Sequence, residues 1–422
     1  MTLFKRNIHP CVRWQQRDAG MKILLVIDGM HPRHGGPPAV VAGSAVALRQ
    51  LGHEVRVLST LRPGDEAVVH KTWEAMTAAG VGLEFCAPMG LRGLLAGPPD
   101  AAAMRGLVAW ADVIHLHGIW NPVLLVAGRM AKAAHKPYLV SVHGVLDFRA
   151  LRRVRHKWLK KRLAIELFNI RGFLAHAAAV VFGSPSEAEQ SWLPTRRLRM
   201  VFIPNGSWMV EAVSPEPDMA ARLDALAPDL RQWSPSLLCY SRVHEEKGML
   251  RLVEAFDRVA GQFPRAGLLI AGLRQDLAYQ AKVEQAIARS PHAGRVVFTT
   301  ELTGPRSQFL YGVCDGYVLP SIAEGFSMAL TQALANGKPM VITRFCHMPE
   351  VADWRAGFVV EPTVEGLTGG LVSLLSLSDS DRAAMGGRAR RLFVENFTWE
   401  RVALKLAAEY ARAADVEPAG DR

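Results

Sequence analysis

The chain has 422 residues, of which half are hydrophobic and 21% are charged, and its formal net charge is +11. This length exceeds the roughly 250–300 residues that one hydrophobic core supports, so the chain is expected to form two domains, and its composition excludes a disordered protein. No apolar run reaches the ~18 residues of a membrane-spanning helix. The five cysteines are scattered without a CxxC pair, which argues against a disulfide or metal framework and favours a reducing compartment.

The first half of the chain alternates strand-like and helix-like runs. Residues 1–20 lack the apolar core of a signal peptide and are predicted to be a disordered extension. From residue 21 to residue 206 the alternation predicts βαβ units on a parallel sheet, a first Rossmann-like domain. The predicted strands are 21–28, 53–60, 112–118, 137–144, 178–184 and 200–206, and the clearest helices are 39–52 and 123–135.

The same alternation restarts in the second half. Residues 207–236 are rich in Pro, Ser and Asp, and we interpret them as the interdomain linker. A second Rossmann-like domain is predicted over 237–396, and a long helix with a tail over 397–422. The predicted strands are 236–243, 267–272, 295–300, 315–321, 339–343 and 357–362. Two such domains facing each other would form a ligand cleft at the carboxyl ends of their strands.

Much of the positive charge lies in the stretch Arg149–Arg162, RALRRVRHKWLKKR. With Trp158 and its leucines, it is typical of a segment that sits on an anionic membrane surface. A solvated helix face is the alternative interpretation, and both remain open. We expect no nucleic-acid partner, because no aromatic-rich binding surface accompanies the basic residues.

Small and basic residues follow the first strand of each half. Gly35 and Gly36 let backbone N–H groups approach an anion at a helix start, although a glycine turn here is also common structure. No GxGxxG is present, so the dinucleotide-binding fingerprint is absent. Arg242 and Lys247 can clamp a diphosphate through a planar fork and a point charge. Their alternative role is surface pairing with nearby glutamates.

The segment 321–339, SIAEGFSMALTQALANGKP, places an acidic residue before a short helix. Ser327 is predicted to cap that helix, which ends at Asn336-Gly337. The helix start can bind a phosphate, while Glu324 can accept hydrogen bonds from sugar hydroxyls. Gln332 lies on an apolar face of the helix. It is either a satisfied core amide or a contact for a bound hydroxyl.

Histidines end two strands of the first half. His143 precedes Gly144 and is predicted to face the cleft. His115 and His117 are too few for a metal site and are interpreted as core or hydrogen-bonding residues. The single DxD, Asp379–Asp381, is interpreted as a helix cap and not as a metal site.

These features together resemble glycosyltransferase family 4, whose members have the GT-B fold. The resemblance rests on GG after the first strand, SR…EKG, LPS..EGF and NGKP, and it covers residues 21 to about 414. HG at 143–144, IPNG at 203–206 and EGFSMA resemble bacterial members that act in exopolysaccharide or lipopolysaccharide assembly.

The resemblance implies a retaining transfer from a nucleotide-diphosphate sugar to a saccharide or lipid-linked acceptor, with no metal or other cofactor. It implies that Arg242 and Lys247 bind the donor diphosphate, that Glu324 contacts the donor sugar and that His143 lies near the reacting centre. It assigns further donor contacts to Gly35, Gly36, Gly325, Phe326 and Ser327. A cytoplasmic protein, peripheral on the inner face of the cell membrane, is the expected setting.

One residue departs from the family pattern. Gln332 stands where the family has a second glutamate, eight positions after Glu324, that accepts from the ribose hydroxyls. Because charge-assisted hydrogen bonds are about twice as strong as neutral ones, we expect weaker or altered nucleotide binding. Two alternatives stay open: a degenerate sugar-nucleotide-binding module without turnover, and another GT-B enzyme such as an epimerase. The donor base, the sugar and the acceptor are not predicted.

Overall fold

The computed structural model of the chain shows two parallel α/β layers. The residues it describes are 20–90, 93–94, 97–146, 162–193, 195, 198–208, 217–302 and 308–415. The expected extension 1–20 lies outside these ranges except for Gly20, and the basic stretch 149–162 does so except for Arg162.

The first sheet has seven parallel strands in the order β3-β2-β1-β4-β5-β6-β7. The strands are β1 Lys22–Gly29, β2 Glu54–Thr60, β3 Gly82–Cys86, β4 Val113–His117, β5 Tyr138–Ser141, β6 Ala179–Phe182 and β7 Met200–Phe202. The strand order reverses between β1 and β4, and a doubly wound sheet binds its ligands at the carboxyl ends beside such a point.

Helices cover both faces of this sheet. They are α1 Gly36–Gln50, α2 Glu66–Thr72, α3 Glu74–Ala78, α4 Ala101–Trp110, α5 Pro122–Ala133, α6 Ile170–Ala175 and α7 Pro185–Glu189. Successive residues of β1 point to opposite faces, as in any strand. Ile23 and Leu25 therefore pack in one core with α1, while Leu24 and Val26 pack in another with α4 and α5.

The second sheet has six parallel strands in the order β10-β9-β8-β11-β12-β13. The strands are β8 Ser236–Tyr240, β9 Gly267–Ala271, β10 Val296–Thr299, β11 Gly316–Leu319, β12 Met340–Thr343 and β13 Gly357–Val360. The helices are α8 Pro217–Leu226, α9 Met249–Ala260, α10 Leu277–Arg289, α11 Phe309–Val313, α12 Met328–Ala335, α13 Glu350–Asp353, α14 Val364–Leu375, α15 Asp379–Asn396 and α16 Trp399–Asp415. Here the order reverses between β8 and β11.

The chain passes between the two layers twice, and the two passages pair with each other. Ser207, on the outward passage, forms a parallel bridge with Thr398, on the return passage. Helix α16 then packs against α1, and a Cβ added to Gly43 of α1 would overlap the Trp399 ring. The predicted GT-B fold, with a C-terminal helix that crosses back, is confirmed.

Strand β3 and helix α8 are among the elements that the sequence did not predict. Strand β3 is an edge strand in which Glu84 is half-buried, so its sequence lacks a continuous apolar run. Helix α8 lies inside the segment interpreted as the interdomain linker. Met219, Leu223 and Trp233 of this segment are buried in a core cluster of the second sheet, so part of the segment belongs to the packing of the second half.

The Asp379–Asp381 pair lies in the first turn of α15, as expected of a helix start. The cap itself is Ser378, whose Oγ accepts a hydrogen bond from the Asp381 backbone N–H at 3.1 Å. Ser378 Oγ also donates to the Asp381 carboxylate at 2.6 Å. This arrangement satisfies a free N–H group at the helix start.

Candidate active site

Two loops at the carboxyl edge of the second sheet are held together by backbone contacts. A 3-10 turn, Glu245–Lys247, follows β8, and the Glu246 carbonyl accepts from the Ile322 N–H at 2.8 Å. Gly248 ends the turn with φ +68°, and a Cβ there would overlap the Pro320 carbonyl. Glycine is therefore required for the loops to approach so closely.

This approach brings Lys247 and Glu324 into a buried ion pair. Their Nζ and Oε1 atoms lie 2.5 Å apart, and the two side chains are 8% and 7% exposed. The Ser321 hydroxyl donates to the same carboxylate oxygen at 2.6 Å. The pair places a compact cation and an acceptor at the edge where a ligand of the sheet would bind.

Arg242 lies apart from this pair. Its side chain is exposed, and its Nη1 donates to Gln275 Oε1 at 2.9 Å. The structure therefore brings two of the predicted site residues, Lys247 and Glu324, into contact and leaves Arg242 at the rim.

Helix α12 begins and ends as predicted. Ser327 caps it by accepting from the Leu330 N–H at 3.3 Å, and Gly337 follows its end with φ +61°. Gly36, at the start of α1 in the first half, faces this helix start, because a Cβ on it would lie 3.9 Å from Met328 Cγ. Gly35 precedes it with φ +81°. Two helix N-termini thus meet across the cleft, an arrangement that favours an anion.

Gln332 is half-buried on α12, and its two amide atoms differ. Its Nε2 donates a short hydrogen bond to Ser207 Oγ, on the outward passage between the layers. Its Oε1 is buried and has no hydrogen-bond partner among the described residues. Gln332 is therefore only half satisfied as a core amide.

His143 lies in a tight turn beyond β5 that abuts the loop of Glu324. Its φ is +49°, and that of Gly144 is +74°. A Cβ on Gly144 would lie 3.0 Å from the Gly325 Cα, so the two turns touch across the cleft. The ring of Phe326 packs beside Gly183, at the end of β6. The structure thus places the His143 turn beside the loop of Glu324.

Glu187 was missed in the sequence. It is only 5% exposed, and its carboxylate accepts from the N–H groups of Gly144, at 2.7 Å, and Gly183, at 2.6 Å. It thereby holds the His143 turn. The available signal is SPSE at 184–187, a capping-box pattern in which Ser184 Oγ accepts from the Glu187 N–H at 3.2 Å.

His115 and His117 are hydrogen-bonding core residues, as interpreted. His115 Nδ1 lies 2.7 Å from the Tyr410 hydroxyl, and its Nε2 lies 2.8 Å from Ser141 Oγ. Burial lowers the pKa of His115 to about 3 and that of His143 to about 4. These rings are therefore neutral near pH 7.

Neither a cluster of metal-ligating side chains nor a membrane-spanning helix occurs among the described residues. No group of three or more His, Cys, Asp or Glu side chains in those ranges could hold a metal ion. Within the same ranges, no helix combines the length and the apolar character that crossing a bilayer requires.

The fold is that of a GT-B protein, and comparison with known families shows that the chain is a glycosyltransferase. Residues 35–206 match the family model "Glycosyl transferase 4-like domain". Residues 234–377 match "Glycosyl transferases group 1". The first match covers every strand of the first sheet except β1, and the second covers all strands of the second sheet. Together they contain all of the predicted site residues.

Individual relatives span nearly the whole chain. A GDP-mannose-dependent alpha-(1-6)-phosphatidylinositol monomannoside mannosyltransferase of Mycobacterium tuberculosis is 25% identical over 92% of this chain and 97% of its own. A GDP-mannose:cellobiosyl-diphosphopolyprenol alpha-mannosyltransferase of Xanthomonas campestris is 22% identical over 93% and 97%. The crystal structure of Anabaena HepE with UDP and glucose is similar with a TM-score of 0.69, at 18% identity over 93% and 100%.

Proposed function

We propose that the protein is a retaining, metal-independent glycosyltransferase of family 4. It moves a sugar from a nucleotide-diphosphate donor to a saccharide or lipid-linked acceptor in exopolysaccharide or lipopolysaccharide assembly. The observation that carries the proposal is the buried Lys247–Glu324 pair at the carboxyl edge of the second sheet, opposite the Gly35–Gly36 turn of the first.

The leaving group of this reaction is a nucleoside diphosphate, so the main electrostatic task is to stabilise its growing negative charge. Lys247, Arg242 and the N-terminus of α12 would do so without a bound ion. Glu324, held by Ser321, would accept hydrogen bonds from hydroxyls of the donor sugar. In a retaining reaction, the acceptor hydroxyl would attack the sugar from the same face that the phosphate leaves. The departing phosphate would take the proton of that hydroxyl.

Relatives indicate which donors to test first. The two mannosyltransferases above are named for GDP-mannose, and the HepE structure holds UDP and glucose. We propose a donor from this class, a nucleoside diphosphate hexose. One relative is named for a phosphatidylinositol monomannoside and the other for a diphosphopolyprenol saccharide, which supports a lipid-linked acceptor.

An enzyme with a lipid-linked acceptor must act at a membrane surface. We propose that this protein acts at the cytoplasmic face of the membrane. Helical residues 162–167 follow the basic stretch, and Leu163 and Leu167 are each 66% exposed on that helix. Apolar and basic side chains side by side are suited to anionic lipid. The described cysteines are all buried free thiols, consistent with a reducing compartment.

Flotation with vesicles that contain anionic lipid tests the membrane step. We expect co-migration at physiological salt and its loss in a Leu163→Ser/Leu167→Ser variant. Leu404→Ser, at another exposed leucine, is the control. No co-migration of the wild-type chain would reject surface binding without affecting the donor proposal.

Calorimetric binding and turnover against UDP-, GDP-, ADP- and dTDP-sugars, with EDTA present, test the central proposal. We expect one donor to bind and to be hydrolysed slowly, and Glu324→Ala to abolish the hydrolysis. If no donor binds, the degenerate-module alternative replaces the proposal, and the half-satisfied Gln332 becomes its explanation. A donor converted without any acceptor into another sugar nucleotide would indicate an epimerase.

A further inference from the structure

Three histidine rings form a row at the carboxyl edge of the first sheet. The ring centroids of His115 and His117 lie 4.3 Å apart, and those of His117 and His143 lie 5.2 Å apart in a stacked arrangement. His117 Nδ1 and His143 Nε2 are 3.0 Å apart, a hydrogen bond. The family resemblance implies that His143 lies near the reacting centre, but it gives no role to His117.

The three rings are neutral, so each has one N–H and one bare nitrogen. Burial lowers the pKa of all three histidines, that of His143 to about 4. His117 is 6% exposed, and its Nε2 is buried without a hydrogen-bond partner among the described residues. His143 is partly exposed at the cleft.

A single proton lies between His117 Nδ1 and His143 Nε2, and the buried Nε2 of His117 decides where it resides. If His143 donated this proton, the neutral His117 would carry its own N–H on Nε2, a buried donor with no acceptor. If His117 donates it, Nε2 is a bare acceptor instead. A buried N–H group without an acceptor is rarer, and costs more free energy, than a buried acceptor without a donor. His117 is therefore the donor.

We propose that His117 is a positioning residue that holds His143 in the tautomer with its proton on Nδ1. With Nε2 occupied, His143 offers the cleft a neutral hydrogen-bond donor and no base. Beside His143 lies a cavity of about 20 Å³, also lined by Asn205 and Phe326, which is room for one hydroxyl-sized group. On the basis of the proposed function, that donor would bind an oxygen of the sugar nucleotide.

The tautomer can be measured directly, without any substrate. Nitrogen-15 NMR of the full chain with labelled histidine distinguishes protonated from bare ring nitrogens, and a His143→Asn variant identifies the His143 signals. We expect His143 to have its proton on Nδ1 in the wild-type chain. In His117→Leu we expect a shift towards the Nε2–H form. A wild-type His143 with its proton on Nε2, or no change in His117→Leu, would overturn the inference.

Turnover separates a positioning role from a merely structural one. We expect His117→Leu to lower kcat about tenfold with the donor KM within about twofold, since one oriented hydrogen bond is lost. His117→Asn keeps an amide donor near Nδ1 and should restore most of the turnover and the Nδ1–H tautomer. His117→Asn also keeps the test valid if His117→Leu fails to fold.

Tyr410→Phe is the matched control. It removes a buried hydrogen bond to the neighbouring His115 but none to His143, so the tautomer and kcat should stay unchanged. Equal losses of kcat in Tyr410→Phe and His117→Leu would mean that His117 acts through stability alone. If the wild-type chain turned over no donor, the proposed function would fail, while the NMR result would still decide the tautomer.

Discussion

The carboxyl edges of the two sheets bring opposite kinds of polar group to the cleft. At the second sheet, an ammonium and a carboxylate lie 2.5 Å apart and almost out of reach of water. At the first sheet, the polar groups beside the cleft include histidine rings that burial keeps neutral. The second domain therefore supplies charged groups, and the first supplies oriented neutral hydrogen-bonding groups. A diphosphate requires charged partners, whereas a sugar hydroxyl, which carries no charge, requires only an oriented partner.

Breaking the Lys247–Glu324 ion pair should have the largest effect on stability and turnover. Glu324→Gln leaves the Lys247 ammonium buried without its counter-charge, a change that typically costs about 3–5 kcal/mol. We expect the free energy of unfolding in urea to fall by an amount in this range. Turnover should fall at least about a hundredfold, because the proposed contact to the donor sugar also loses its charged acceptor.

The double variant Lys247→Met/Glu324→Leu is the control for that change. Apolar side chains of similar volume often replace a buried ion pair without loss of stability. We therefore expect most of the stability to return and none of the turnover. Full stability in Glu324→Gln alone would contradict the description of the pair as isolated from water.

Arg242 tests whether charge at the rim acts on the ligand without acting on the fold. The side chain is exposed, so Arg242→Gln should change the free energy of unfolding by less than about 0.5 kcal/mol. Donor affinity, measured by calorimetry, should fall about tenfold through the loss of a charge-assisted hydrogen bond. Arg258→Gln, at another exposed arginine of the same half, should leave affinity unchanged. Equal affinities in both variants would remove Arg242 from the diphosphate site.

Acid tests whether the buried histidines of the first domain are neutral. Burial lowers the pKa of His115 to about 3 and of His143 to about 4 from their ordinary 6.5. Between those values the unfolded chain binds more protons than the folded one, so stability is lost as pH falls below about 6.5. Each histidine contributes up to about 1.4 kcal/mol per pH unit in that window.

Urea unfolding at pH 7, 6 and 5 measures this loss. His115→Asn removes one titrating ring, and its stability should fall less steeply with acid than that of the wild-type chain. The absolute stability of the variant is not the readout, because the substitution also alters buried hydrogen bonds. Parallel pH dependences would show that His115 is not kept neutral by the fold.

Gln332 gives the smallest expected effect. Gln332→Glu restores a charged acceptor beside Ser207, whose hydroxyl can then donate to it. Since a hydrogen bond to a charged group is worth about 1 kcal/mol more than a neutral one, nucleotide affinity should rise about fivefold. Ser207→Ala in the same background controls for the new contact. Weaker binding by Gln332→Glu would mean that the buried Oε1 does not face the nucleotide.

Much of the site could be predicted because it depends on short-range rules. Strand ends, a serine cap and an Asn-Gly helix end predicted the loop of Glu324 and the start of α12, and the structure confirms both. Strand order then brought Lys247 to Glu324, although 77 residues separate them in the sequence. Alternating apolar runs predicted which edge each residue occupies.

The contacts that the sequence did not predict depend on the positions of individual side-chain atoms, and not only on which edge of a sheet a residue occupies. Glu187 holds the His143 turn from 43 residues away, and His117 meets His143 across two adjacent strands. Periodicity predicts that such residues share an edge, but it does not predict which ring nitrogen faces which. Strand β3 was missed for a different reason: at a sheet edge, a strand needs no continuous apolar run.

The C-terminal helix has a consequence for the order in which the protein is made. Trp399 and Tyr410, 2% and 0% exposed, belong to the core of the first half. A ribosome releases them only after the entire second sheet. Of these two domains, the one translated first is therefore the second to complete its core, and during synthesis its α1 face stays open until α16 arrives.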